Sequence, residues 1–578
     1  MSHDPQHLRW APHWRFDGRL LARAIACTVL LVSVCLILHT YTVYGPTADE
    51  GDHIAGGMEW LSHSTFNMDP IDPPLPRVII ALGPYIMGVR PSATGNPWAP
   101  NSEWGEGGRI LHSGNFRHIL YEARAGTLLF FIFSVYLVWS RTRLWIGESY
   151  AYVAVVLFCL LPPILTHASL ATTDVAAMCM FFWALDRVWR LCRSSTLKNA
   201  LAAGIVIGLA ITTKFTIGPF LAISILLILM TDIALKRIPA ERWHFPPLRR
   251  ILVSAIACAL IVWGMYFFSI GSIVPVGSKD RTSLSNFLIH RHIPQTPVLL
   301  LADHVPAVPF FQGLRLAVEM NRHHPPNYFM GRLRPRGSLL FFPVMFAVKM
   351  PLPFLALSLI GIGLACWQIA HLGDSYLLWL VVGAFSPFVM GIGSTLNIGM
   401  RHVLAATPFL AILAAFAVRS LWQSGTARLQ LRLLVVLLVS WQGVNYARTA
   451  SNPLSWFNEA AMGHGPWFAT DSDFDWGQDL SKLPAALNRL GAHDISLAYS
   501  GAADPRWYGL QSWRFPPPKQ TTYGWIAISE FIVRTGGDAY AWLDAYKPVG
   551  YAGRSIRIYC IPNPGKENTH GTDPVCHQ

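Results

Sequence analysis

Charge is scarce in this chain. Of 578 residues only 13% are charged while 52% are apolar, and that balance excludes an ordinary soluble multidomain enzyme. Cysteine is scarce as well. Of the nine, Cys27, Cys35, Cys159, Cys179, Cys192, Cys258 and Cys366 lie in or beside apolar runs, where a thiol acts as a small apolar side chain, and no CxxC pair marks a metal or redox site. Only Cys560 and Cys576 fall in the tail; an oxidising exterior permits them to pair, and a free thiol is nearly as compatible. The chain shows no internal repeat of 20 to 50 residues. The first apolar run lacks a small-residue cleavage site, so it is not a removable signal peptide.

Long apolar runs are what the chain has instead. Stretches of roughly 18 residues or more, enough to cross about 30 Å of hydrocarbon, recur near 20–43, 123–140, 149–165, 171–186, 199–213, 215–233, 251–270, 338–369, 376–392, 402–418 and 432–446. They predict an all-α polytopic membrane protein of about eleven spans. Basic residues alternate between the loops: Arg9, Arg15, Arg19 and Arg23 precede the first run, Arg141 and Arg143 follow the second, and Arg187, Arg190, Arg193 and Lys198 follow the fourth. Lys236, Arg237, Arg242, Arg249 and Arg250 follow the sixth, and Arg419, Arg428 and Arg432 the tenth. Positive charge stays on the cytoplasmic side, which places the N-terminus inside and, with an odd number of spans, the C-terminus outside. Much of the net charge of +13 is explained by this topology, so it does not point to nucleic acid.

Three regions divide the chain: a cytoplasmic tail 1–19, a membrane part 20–446 with exterior loops of about 44–122 and 271–337, and an exterior part 447–578. Within the first loop, Pro73 to Val89 is too short and proline-rich to span and reads as a helix in the interface. In the last part, "DWGQDLSKLPAALNRLG" has helical periodicity, while "ISLAYSG", "YGWIAISEF" and "SIRIYCI" alternate like strands. That predicts a small α/β domain. The first 18 residues and the final "PNPGKENTHGTDPVCHQ" are polar and read as disordered.

Three carboxylates, Asp49, Glu50 and Asp52, stand where the first run ends. Thr47 and Glu50 have the spacing of a capping box, and acidic residues suit a helix start. That reading leaves Asp49 unused. On a helix, Asp49, Asp52 and His53 share one face, continued by Gly56 and Trp60.

These residues, with "IDPPLPR" (Asp72 to Arg77), "EARAGTLL", "LTHASLATTD", "GLAITTKFT", "NYFMGRLRPRGSLLFFPVMFAVKMPLP", "LNIGMRHVL" and "SWFNEA…DSDFDWGQDL", resemble the protein O-mannosyltransferase superfamily, glycosyltransferase family 39. The ordered set covers nearly the whole chain. It is most similar to the bacterial branch of phospholipid-carrier-dependent glycosyltransferases, which shares its build with the lipid A aminoarabinose transferase; the MIR domain of eukaryotic relatives is not visible. The resemblance implies a GT-C fold in the cell inner (cytoplasmic) membrane and transfer of a sugar, with anomeric inversion, from a polyprenyl-phosphate carrier to an envelope glycan, lipid or protein. Asp49 matches the family's Asp and would serve as general base or orient the acceptor, with Glu50 as its neighbour.

Displacing a lipid phosphate calls for cations at the outer ends of spans. Lys214, Lys349 and Arg401 are placed for that role, although basic side chains there also snorkel to headgroups. Arg77 is a weaker fourth, and Asp72 stands where the family often has a basic residue. Asp174 reads either as a second acidic site residue or as an N-cap. Asp52 and His53 are further first-loop contacts. No metal site is assigned: "DSDFDWG" lacks the Gly and bidentate Glu of a calcium loop, and His290, His292, His323 and His324 lack ligand spacing. A divalent ion is left open by the resemblance. Asp475, Trp476 and Asp479 read as helix start and packing rather than a glycosidase pair. The rival class is a transporter or flippase of lipid-linked sugars, whose inverted repeats are not evident here.

Overall fold

Each expected span is built largely of helix. The computed structural model describes residues 16–91, 102–235, 246–373, 375–425, 428–450 and 452–563. Arg9, Arg15, Lys236, Arg237, Arg242, Cys576 and most of both polar ends lie outside the described residues; the first helix starts at Phe16, inside the stretch expected to be disordered. Among the described residues seven helices are long and apolar enough to cross a membrane, or up to eight if the bent pair Glu148–Cys159 and Pro162–Ala168 is one span. The protein has the make-up of a multi-pass membrane protein.

The remaining three of the eleven expected spans differ for physical reasons. Leu197–Ile211 has 15 residues and reaches only about 22 Å at 1.5 Å per residue. Asp174–Arg193 carries Asp186, Arg187, Arg190 and Arg193, and Arg428–Thr449 carries three arginines. Proline divides two runs that read as continuous. The expected span 149–165 turns by 70° before Pro162. The run 338–369 is two helices, Phe341–Lys349 and Leu352–Leu372, because Met350 before Pro351 takes an extended ψ of 145°.

Helix α1 (Phe16–Val43) ends ahead of Gly45 and Pro46, and α2 (Glu50–His63) follows with Glu50 and Asp52 in its first turn. The capping box is half formed. The Glu50 carboxylate accepts from Thr47 N at 2.8 Å, but the Thr47 hydroxyl is buried without a partner and Asp49 takes the N-cap position. Helix α3 (Pro74–Ile86) starts on Pro74 and packs on α2, where the Gly57 site leaves room for the α3 backbone: an added Cβ would lie 2.0 Å from Arg77 O. It also packs on Phe116–Trp145 through Gly126.

Three of the four strands of the tail sheet were legible as alternating runs. Their order is Ser496–Ala498, Gly524–Ser529, Ile556–Ile561 and Gly550–Ala552, the first pair parallel and the others antiparallel. Leu483–Leu490 packs its apolar side on this sheet. Cys560, on the third strand of that order, is disulfide-bonded.

Candidate active site

Asp49 occupies the turn between α1 and α2, and the tail holds that turn in place. Gly45 N donates to Gln478 O at 3.0 Å and Ala48 N to Trp476 O at 3.1 Å. The Tyr44 hydroxyl donates to Asn452 Oδ1 and accepts from Leu454 N, each at 3.0 Å. From this platform Asp49 Oδ2 accepts from Arg401 Nη1 at 2.7 Å, and Oδ1 accepts from Trp476 Nε1 at 3.3 Å. The Arg401 guanidinium lies over the Trp476 ring, 4.3 Å from its centroid.

The ion pairs continue inward. Arg401 Nη1 is 3.7 Å from Asp174 Oδ2, and Asp174 Oδ1 accepts from Lys214 Nζ at 2.6 Å. His167 Nδ1 stands 4.0 Å from the same carboxylate. Four residues expected from sequence, Asp49, Arg401, Asp174 and Lys214, are thus one chain of alternating charge. Asp49 is its open end: its side chain is 31% exposed, against 1% for Asp174. Asp174 is the first residue of its helix and not the N-cap, which is Thr173.

Burial is the largest influence on the Asp49 carboxyl and pushes it up, but the charge and hydrogen bond of Arg401 together with the neighbouring His53 hold it below its usual range. Burial raises Asp471 to about 7 despite the Arg401 charge. Several buried polar atoms of the cluster have no hydrogen-bond partner: Arg401 Nε, His402 Nε2, His167 Nδ1 and Asp174 Oδ2. Buried nitrogen groups of this kind are ordinarily satisfied, and here they surround the Asp49–Asp174 ion chain.

Other expected residues are committed elsewhere. Glu50, fully buried, pairs with Arg124 at 2.7 and 2.8 Å and accepts from Ala171 N at 2.8 Å. Arg124 also donates to the carbonyls of Tyr41, Tyr44 and Gly45, so the pair clamps the exit of α1 and positions Asp49. Lys349 donates to Leu454 O and Asp473 O, both at 2.7 Å, and lies 4.4 Å from the centre of the Phe457 ring. Those bonds tie the tail to the helix that carries Lys349. Arg77 donates to the carbonyls of Asp52, Met68, Asp69 and Asp72. His53 is buried on α2, and Asp52 is half-buried.

Sequence reasoning missed Trp476, Asp471, Asp473 and His167. Trp476, read as packing, contacts both Asp49 and Arg401. Asp473 accepts from Met400 N with both oxygens at 3.1 Å, and Ser472 Oγ donates to Ile398 O at 2.6 Å, so "DSD" sets the turn that carries Arg401. Asp475 accepts from Phe531 N, and Asp479 from Arg554 N and Ser555 N; these two hold the tail sheet. Arg124 sits within the "EARAG" motif, a signal that was present.

Among solved structures, a crystal structure of ArnT from Cupriavidus metallidurans bound to undecaprenyl phosphate is 12% identical over 93% of this chain and 98% of that chain, with a TM-score of 0.49. The archaeal oligosaccharyltransferase AglB from Archaeoglobus fulgidus, in complex with an inhibitory peptide and a dolichol-phosphate, is 13% identical over 74% of this chain and 56% of that chain, with a TM-score of 0.44. No curated protein matches the chain. Residues 117–267, which include Arg124, His167, Asp174 and Lys214, match the family described as dolichyl-phosphate-mannose-protein mannosyltransferase. Over that segment, which holds the motifs "EARAGTLL", "LTHASLATTD" and "GLAITTKFT", the chain is similar to the dolichyl-phosphate-mannose-protein mannosyltransferases.

Proposed function

We propose that the protein is a membrane glycosyltransferase that moves a sugar from a polyprenyl-phosphate carrier to an envelope glycan, lipid or protein acceptor on the outer face of the inner membrane. The observation that carries the reading is the ion chain: a partly exposed Asp49 joined at 2.7 Å to Arg401, with Asp174 and Lys214 behind it. Asp49 accepts the proton of the acceptor hydroxyl or amine. The acceptor atom attacks the anomeric carbon as the bond to the phosphate oxygen breaks, and the anomeric centre inverts. The electron pair leaves on the carrier phosphate, and Arg401 and Lys214 supply positive charge there.

An arginine-paired carboxylate is a weak base, so the pair itself needs explaining. A lipid phosphate draws the Arg401 guanidinium toward itself and fills the need of its unpartnered Nε. The Asp49–Arg401 bond then weakens, and Asp49 becomes more basic when donor is bound. Glu50, Arg124 and Lys349 act as positioning residues in this scheme. The residues from about 447 onward form the exterior domain, and the N-terminus is cytoplasmic.

The test is to reconstitute the protein in liposomes with a panel of polyprenyl-phosphate sugars and membrane acceptors. The expected result is a new glycosidic bond with one carrier phosphate released per transfer. Carrier movement across the bilayer with no new bond would replace the transferase by the flippase.

A further inference from the structure

We propose that His53, Asp69 and Asp72 form a divalent-cation site in the first exterior loop. A ring nitrogen of His53 and one carboxylate oxygen from each aspartate lie within 4.8 Å of one another. A cation among three atoms so spaced reaches all of them at about 2–2.5 Å with small side-chain rotations. A second observation points to a ligand there. His53 is 3% exposed, and its Nδ1 is buried with no hydrogen-bond partner, a condition that coordination through that nitrogen would remove.

The loop that carries both aspartates is held from two sides. Glu59 accepts from Thr65 Oγ1 at 2.6 Å, from Asn67 N at 2.9 Å and from Met68 N at 2.7 Å. Arg77 donates to the carbonyls of Met68, Asp69 and Asp72. Such bonds fix the direction in which the loop presents its carboxylates. Arg77 also stands 3.8 Å from the Asp69 carboxylate, which lowers cation affinity but leaves one of the two negative charges uncompensated. One imidazole and two carboxylates suit Mn²⁺ or Zn²⁺ better than Ca²⁺, which takes six to eight oxygens. Three protein ligands leave positions open, and the small cavity lined by Gly56, Trp60, Asp72, Arg77 and Tyr266 adjoins them.

The proposal concerns binding alone and stands apart from the transferase reading. Full-length protein is stripped with chelator and titrated with Mn²⁺ followed by electron paramagnetic resonance. Wild type is expected to bind one ion per chain and to melt at a higher temperature with it. Asp72→Asn and His53→Gln each weaken binding tenfold or more, while Asp49→Asn leaves it unchanged. Melting and elution without metal show which variants are folded, and Asp72→Asn, at the half-buried edge, serves should His53→Gln fail. The proposal is overturned if wild type binds no Mn²⁺, if folded Asp72→Asn binds as wild type does, or if binding disappears in Asp49→Asn.

Discussion

Asp49 and Glu50 are adjacent in the chain and opposite in surroundings. Asp49 was legible from its place at the end of an apolar run, and its partner Arg401 from a positive charge at the end of another that the loop charges led one to expect outside. Trp476 was not, because it meets Asp49 across 427 residues and an isolated tryptophan carries no sign of such a contact. Glu50 was legible as the neighbour of Asp49, but its pairing was not, because sequence spacing shows a carboxylate and not the arginine folded onto it. Removing one partner of that fully buried pair leaves a charge without compensation. Glu50→Gln is therefore expected to cost about 3–5 kcal/mol, read as denaturant or thermal stability; a loss under about 1 kcal/mol would place the Arg124 charge in water.

Asp475 allows a second residue-scale expectation. Burial outweighs its two backbone donors, Phe531 N and Gly477 N, and raises its carboxyl from 3.8 to about 7. The folded state holds this proton more tightly than the unfolded state. The stability it contributes is fully present below 3.8 and is lost as pH climbs through about 7. Wild type should lose more melting temperature between about pH 5 and about pH 8 than Asp475→Asn does. Equal losses would show that Asp475 is ionised in the folded tail across that window.

At the scale of elements, apolar length located the spans and proline located their breaks, yet the consequences of Pro162 and Pro351 needed the backbone to be seen. The seat of the Arg77 guanidinium against α2 depends on the absence of a side chain at Gly56. An added Cβ would fall 1.5 Å from Arg77 Nη2, so the guanidinium must leave its four carbonyl partners. Gly56→Ala should destabilise the first loop by about 1–3 kcal/mol. Gly108→Ala, with nothing within 4 Å of the added Cβ, should be neutral or slightly stabilising. Proteolysis between α2 and α3 checks both.

Across the whole molecule, the break at 447 was drawn where apolar runs stop. The chain from Asn452 to Gln478 nonetheless forms one wall of the site, bonding Tyr44, Gly45, Ala48 and Asp49 as well as Lys349 and Met400. Sequence separates these segments by their hydropathy, whereas the fold joins them through buried polar bonds that composition does not reveal. The central claim is that the Asp49 carboxylate performs proton chemistry at this joint. Turnover of polyprenyl-phosphate sugar by purified wild type, Asp49→Asn and Asp49→Glu, at equal folded concentration and saturating acceptor, tests it directly. The account predicts a loss of roughly 10²–10⁴-fold in Asp49→Asn, with partial recovery in Asp49→Glu; equal turnover in wild type and Asp49→Asn would contradict it.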